Sequence, residues 1–354
     1  MKNSFKIILA TLFINSFVFS QTTAPKYSNE FLNIGVGARS FGMSHSVISD
    51  VKDVTSGYYN PAGLLKMESK MEIGLMHSEY FAGIAKYDYA GFAKRIDEKS
   101  VMAFSFIRFG TDDIPNTTQL IDEQGNIDYD RITKFSAADY GLLFSYARKY
   151  KGLDLGANFK IIHRRIGDFA KAWGFGLDAS INYEYKKWKF AGVVRDITST
   201  VNAWSFTIDD ATRKVFDSTG NDIPQNSTEL TLPRIIIGTS RYFKLSEKFD
   251  LLAEVDLDFT LDGKRNTLIR SNSLNLDPHF GLEFGYKKLI YFRTGLGNAQ
   301  WVKQLDNSDD LSLEPNIGIG VKLNSFSIDY ALSNVGNASV GLYSNVFSVK
   351  YSFK

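Results

Sequence analysis

Alternation with a period of two governs most of this chain. In "WGFGLDASINYEY", Trp173, Phe175, Leu177, Ala179, Ile181, Tyr183 and Tyr185 fall on one side, and Gly174, Gly176, Asp178, Ser180, Asn182 and Glu184 on the other. "LLAEVDLDF" sets Leu251, Ala253, Val255, Leu257 and Phe259 against Leu252, Glu254, Asp256 and Asp258. "FGLEFGYK" opposes Phe280, Leu282, Phe284 and Tyr286 to Gly281, Glu283, Gly285 and Lys287. Side chains point alternately to the two faces of a strand, so these segments are strands with one apolar and one polar face. From Met71 onward about fourteen such segments can be counted. After residue 20 no apolar run approaches the ~18–20 residues that a membrane helix needs.

Two all-β architectures share this pattern. A soluble sandwich turns its apolar faces inward, whereas an outer-membrane barrel turns them to lipid and lines its interior with the polar ones. The connections separate the two. Short turns fall near Asp97-Glu98, Lys149 to Gly152, Lys186-Lys187, Leu245 to Lys248, Lys287-Lys288 and Asn324-Ser325. Between them lie longer stretches: Gly110 to Lys134, His163 to Lys171, Thr198 to Glu229, Leu261 to Asp277, and Asn298 to Glu314. Tight turns at one end and extended loops at the other mark a transmembrane antiparallel barrel, with the tight turns in the periplasm. The tail "YSNVFSVKYSFK" fits a closing strand, with Tyr343, Asn345, Phe347, Val349, Tyr351 and Phe353 on one face. Closure matters because an open edge in lipid would leave backbone groups unpaired.

The first twenty residues, "MKNSFKIILATLFINSFVFS", read as a secretory signal: Lys2 and Lys6, an apolar core from Ile7 to Phe19, and a cleavage site at Val18-Phe19-Ser20. The expected organisation is a signal peptide over 1–20, an N-terminal hatch over 21–68 and a transmembrane barrel over 69–354, located in a bacterial outer membrane after cleavage. The hatch assignment follows from composition. Residues 21–68 are polar and carry glycines at 35, 37, 42, 57 and 63, which suits the inside of a barrel too wide for wall side chains to fill. "SGYYNPAGLL", Ser56 to Leu65, is then the point where hatch gives way to wall, with Pro61 fixing a turn.

The stretch "GARSFGM…DVTSGYYNPAGLL" resembles the amino-terminal motif of the FadL-like outer-membrane proteins, and within them the PorV/PorQ branch associated with type IX secretion in Gram-negative bacteria. The matching positions are Gly37, Ala38, Arg39, Gly42, Met43, Asn60, Pro61, Ala62 and Gly63, and Gly35 adjoins them. The resemblance implies a hatch inside a fourteen-stranded barrel. Ser44-His45-Ser46 depart from the small residues common there.

Composition closes off several chemistries. Cysteine is absent, which removes disulfides, thiolate metal sites and cysteine nucleophiles. A formal net charge of +2 offers no nucleic-acid-binding surface. The four histidines (His45, His77, His163 and His279) are scattered without metal-ligand spacing, and no catalytic set can be singled out. "IDEQGNIDYD" gathers Asp122, Glu123, Asp128 and Asp130 around Gly125, but without EF-hand spacing it reads as a solvated loop. No catalytic residue, metal or cofactor is expected. On strand parity the barrel interior carries Asp139, Asp154, Lys160, Asp178, Arg195, Glu254, Asp256, Asp258, Glu283, Arg293, Lys322 and Asp329, charges of both signs that can pair across the lumen.

The resemblance implies a non-enzymatic barrel that assists delivery or surface attachment of secreted proteins. Its partners would be outer-membrane lipids, cargo proteins and type IX components. A FadL-like carrier of hydrophobic small molecules, such as long-chain fatty acids, is the alternative, and the sequence does not choose between the two.

Overall fold

The computed structural model describes residues 27–80, 83–121, 126–304, 307–333 and 344–353. The proposed leader, Asp122, Glu123, Gly125 and Tyr343 lie outside them. Among the described residues, sixteen strands form one antiparallel sheet. They are β1 (Met71–Tyr80), β2 (Ala85–Asp97), β3 (Ser100–Asn116), β4 (Thr133–Tyr150), β5 (Leu153–Ile166), β6 (Ala170–Tyr185), β7 (Trp188–Arg195), β8 (Thr200–Phe206), β9 (Ser227–Thr231), β10 (Arg234–Lys244), β11 (Phe249–Thr260), β12 (Asn275–Tyr286), β13 (Ile290–Lys303), β14 (Asp309–Leu323), β15 (Phe326–Ser333) and β16 (Ser344–Phe353). Pairing runs from β1 to β6, through β7 and β10 to β16, and back from β16 to β1, so the sheet closes. β8 continues the line of β7 along β6, and β9 precedes β10 in the same way. The ring therefore has fourteen positions, two of them occupied by broken strands.

The faces follow the alternation. On β6, Trp173, Phe175, Leu177, Ile181 and Tyr183 are exposed while Asp178, Ser180 and Asn182 are buried. On β11, Val255 is exposed between buried Glu254 and Asp256. Apolar outside and polar inside is the pattern of a wall that meets lipid. Both ends of the wall, Met71 and Phe353, pair with each other at the end that carries the short turns.

The outer connections differ from expectation. β5 and β6 are joined by a tight turn, with Ile166 still paired to Ala170, so His163 to Lys171 is wall rather than loop. β3 and β4 stay paired out to Asn116 and Thr133. β13 and β14 stay paired out to Lys303 and Asp309, across a register shift between Gly297 and Gln300. Thr198 to Glu229 contains β8, a helix α3 (Asp210–Thr219) and most of β9. Near Asn116 and Thr133 both faces of the strands are largely polar, so the ladder continues while the alternation that reveals it disappears.

The inner segment, residues 27–67, comprises a 3-10 turn (Glu30–Asn33), two short helices, α1 (Ala38–Gly42) and α2 (Ser56–Tyr59), and a second 3-10 turn (Pro61–Lys66). It lies inside the barrel, where Val36, Ala38, Phe41, Met43, Asn60, Ala62 and Leu64 are buried.

Candidate functional site

Close approach of backbones seats the inner segment, and glycine permits it. A Cβ on Gly156 of β5 would stand 2.2 Å from the Ala62 nitrogen, and one on Gly295 of β13 would stand 2.3 Å from the Met43 carbonyl carbon. Gly42 meets Gly318 of β14 in the same manner. Gly35 and Gly37 adopt φ of 103° and 79°, which L side chains rarely tolerate. That path turns the Gly35 and Val36 amides toward the hydroxyls of Tyr58 and Tyr59 (3.1 and 2.8 Å) and lets Ala38 N donate to Ser348 Oγ on β16 (3.0 Å). Asn60 is the hinge of the turn. Its Oδ1 accepts from Ala62 N (3.1 Å), while its Nδ2 donates to the Ile48 carbonyl (2.7 Å) and to Asn182 Oδ1 on β6 (2.6 Å). The motif is thus docked against the wall across β5 and β6, some distance before the chain enters β1.

Charges hold the segment from the side of the short turns. Arg39 donates to Glu283 on β12 (2.8 and 3.2 Å) and to Asp50 (3.0 Å). Glu283 also accepts from Arg293 (2.6 Å), which reaches Asp329 on β15 (2.7 Å). Lys350 on β16 lies 3.8 Å from Asp329 and pairs with Asp53, and Lys189 on β7 pairs with Asp50. Four cations and four carboxylates therefore alternate in one chain of ion pairs from β7 to β16, with Arg39, Asp50 and Asp53 supplied by the inner segment. This chain lines the closed end of a cavity of ≈ 1310 Å³ whose other walls carry Lys248, Lys287, Lys288 and Lys322. Strand parity pointed to Glu283, Arg293, Lys322 and Asp329, and the motif to Arg39. It missed Asp50, Asp53, Lys189 and Lys350, although Lys350 shares the parity of Ser348.

Not every inward charge is paired across the lumen. Asp256 accepts the amides of Val47 and Ile48 (2.8 and 3.1 Å), and Glu254 accepts the amide and hydroxyl of Ser49 (2.6 and 2.8 Å). These two carboxylates bind turn backbone, a role that a list of charges does not reveal. Asp258 pairs with Arg234, Asp139 with Arg164 (2.8 Å), and Asp154 with Lys66 (3.1 Å). At the far end, Arg265 in the β11–β12 loop clamps the start of the inner segment through Glu30 (2.8 Å) and the Tyr27 ring (4.3 Å). Burial lowers the pKa of this guanidinium, but the hydrogen bonds to Asp262 and Glu30 and their charges prevail and hold it above the usual arginine value.

The broken strands make a second feature. On β6, Ala179 pairs with Val194 of β7 and Phe175 with Val201 of β8, so four steps on one strand face seven on the other. The surplus forms an insertion at 196–199, where Asp196 and Ser199 have φ of 52° and 58° and Ile197 is exposed. Opposite it, between Thr231 of β9 and Arg234 of β10, sit Leu232 and Pro233, and proline brings no amide to a ladder. Lys160 of β5, buried, anchors the insertion between Asp178 (2.7 Å) and Asp196 (2.5 Å). Arg195 reaches inward to the carbonyls of Leu32 and Tyr58 (3.3 and 3.2 Å). The lumen beside Leu32 is apolar: Phe31, Tyr87 and Ile107 form one buried cluster, with Ile34, Tyr80 and Phe109 packed against it. The Tyr87 hydroxyl is buried without a hydrogen-bond partner among the described residues. An apolar cluster thus sits in the lumen toward the long loops, amid the Asp139–Arg164 and Asp258–Arg234 pairs, and the break in the wall adjoins the inner segment beside it.

His45 lies within the inner segment, its ring centroid 6.5 Å from that of His279, and among the described residues no group of three or more histidines and carboxylates is placed to hold a metal.

No protein-family model and no curated protein sequence matches the chain. Solved structures do. The CymD monoaromatic hydrocarbon channel superposes with a TM-score of 0.57 at 13% identity, over 93% of this chain and 99% of that one. The Ralstonia pickettii toluene transporter TbuX gives 0.53 at 13% identity, over 90% and 99%. A Pseudomonas aeruginosa FadL homologue gives 0.51 at 12%, over 90% and 98%. At this identity the likeness establishes the fold: a FadL-like, fourteen-strand outer-membrane barrel with an N-terminal segment.

Proposed function

We propose that this FadL-like barrel is a carrier of hydrophobic small molecules, which enter the apolar cluster of the lumen beside Leu32 and leave sideways through the break between β7–β8 and β9–β10. The break beside the apolar cluster carries the reading. A hydrocarbon gains about 25 cal/mol for each Å² of surface removed from water. Passing on into the charged cavity would forfeit that gain, whereas stepping through the wall into lipid keeps it. The hydrocarbon channel and toluene transporter among the structural matches support the same substrate class.

Deleting Ile197, Thr198 and Ser199 brings this strand to the length that β6 demands and closes the ladder. Uptake of a radiolabelled hydrophobic solute by cells bearing the variant is expected to fall to the level of cells lacking the protein, with equal barrel in the outer membrane. Unchanged uptake rules out the lateral exit.

A second reading, delivery or attachment of secreted proteins in the manner of the PorV/PorQ branch, is favoured by the motif from Gly37 to Gly63 and by the tightness with which the inner segment fills the lumen. It places function on the external surface. Trimming should then remove only 207–226, because β8 and β9 belong to the wall. Loss of surface-displayed proteins on that trimming, with solute uptake intact, selects this reading over the first.

A further inference from the structure

Three of the short turns repeat one arrangement. Tyr150-Lys151, Tyr185-Lys186 and Tyr286-Lys287 each end a strand, and in each the lysine nitrogen lies over the tyrosine ring, 5.2, 5.2 and 5.4 Å from its centroid. The lysines take φ of 48°, 55° and 52°, a left-handed geometry that folds them back along the wall. Aromatic rings with a polar edge settle at the membrane–water boundary. This end of the barrel thus carries a collar of cations at headgroup level.

At one place the collar becomes a built site. Arg241 of β10 pairs in register with Trp188 of β7 and shares the outward parity of Ile237 and Phe243. Its guanidinium carbon stands 5.2 Å from the Trp188 ring and 5.0 Å from the Phe243 ring, both of which are exposed on the wall. Arg241 Nε is buried, with no hydrogen-bond partner among the described residues. Lys186 and Lys187 form the two-residue turn that leads into Trp188. Of the carboxylates at the two adjoining turns, Glu184 has inward parity and is engaged by Lys66 (2.8 Å), and Glu247 pairs with Lys244 (3.0 Å). A guanidinium held between two rings that face lipid and flanked by two lysines has the geometry to grip a phosphate through paired N–H bonds from its terminal nitrogens.

We propose that Arg241, Trp188 and Phe243, with Lys186 and Lys187, bind the phosphodiester headgroup of an anionic glycerophospholipid in the leaflet on the short-turn side. The rings lie along the first acyl carbons, the guanidinium takes the phosphate, and the lysines supply the preference for net negative charge. Free phosphate, which has no acyl chain to lie against the rings, is not the ligand.

The full chain, reconstituted in phosphatidylcholine vesicles, tests this by tryptophan quenching. Acyl-brominated phosphatidylglycerol or acyl-brominated phosphatidylcholine is added at equal mole fraction, and Trp188→Phe isolates the Trp188 signal. Trp188 should be quenched preferentially by the anionic lipid. Arg241→Gln should reduce that preference about fivefold, and Lys186→Gln with Lys187→Gln should reduce it further, because each cation near an anionic headgroup contributes on that scale. Inorganic phosphate should not compete. Equal quenching by the two lipids, a preference that survives the substitutions, or displacement by inorganic phosphate overturns the proposal. Should Arg241→Gln fail to insert, the double lysine variant, confined to an exposed turn, decides alone.

Discussion

Replacing Arg39 with methionine is expected to release the inner segment from the wall and turn a closed barrel into a leaky one. Arg39 is the only cation joining Asp50 to Glu283 among the described ion pairs, and its side chain is 15% exposed. Removing one partner from a buried pair typically costs about 3–5 kcal/mol, because the carboxylates left behind keep their desolvation penalty. Lys189 and Arg293 still engage those carboxylates, so the loss should fall near the lower end, about 3 kcal/mol. Planar-bilayer recordings should show ion conductance that the wild type lacks, and protease should cut within 38–55 of the variant alone. Arg39→Lys should recover part of the closure, since an ammonium keeps the charge but not the two-pronged grip on Glu283. Equal conductance and protection in all three proteins would mean that the glycine contacts and Asn60 suffice to hold the segment.

Lys160→Met is expected to cost a similar amount by the same physics at a different place. Asp178 and Lys160 are each 4% exposed at the side chain and Asp196 14%, so the substitution strands two carboxylates inside the wall. The expected loss is about 3–5 kcal/mol, read as a lower urea midpoint for unfolding in detergent or vesicles. Adding Asp178→Asn and Asp196→Asn should restore much of it, because the neutral set carries no uncompensated charge. Solute uptake separates stability from function. The single variant, whose insertion at 196–199 loses its ion pair and keeps only hydrogen bonds such as Asp196 N to Asp178 (2.9 Å), should alter uptake even at a temperature where the barrel is fully folded.

Much of the architecture is legible in the amino-acid order because lipid enforces it. Val255 lies outward while Glu254 and Asp256 lie inward, and an apolar band must be unbroken around the ring wherever lipid touches it. Asp178, Arg293 and Asp329 could be placed inside by parity alone for that reason. The break could not be read this way. Between Val194 and Val201 the chain takes three extra steps, and an insertion has no period of its own. Asp196, the residue that completes the Lys160 anchor, sits within it and looks like an ordinary turn aspartate. The work of Glu254 and Asp256 was equally hidden, since amides of Val47, Ile48 and Ser49 turn toward them only after the inner segment has folded against the wall. Asn60 showed as a turn residue from its neighbours Pro61 and Gly63, but its bond to Asn182 spans two parts of the chain that sequence gives no cause to join.

The most direct test of lateral passage is to map where a hydrophobic substrate travels. A photoreactive alkyl probe added to the barrel in vesicles, followed by irradiation, digestion and mass spectrometry, reads out each contact. Labels are expected on Tyr87 and Phe109 inside the lumen and on peptides spanning 194–200 and 231–234 at the break, with the last two lost when Ile197, Thr198 and Ser199 are deleted. Labels spread evenly over lipid-facing residues such as Phe175 and Phe347, with none on Tyr87 or at the break, would contradict passage through this wall.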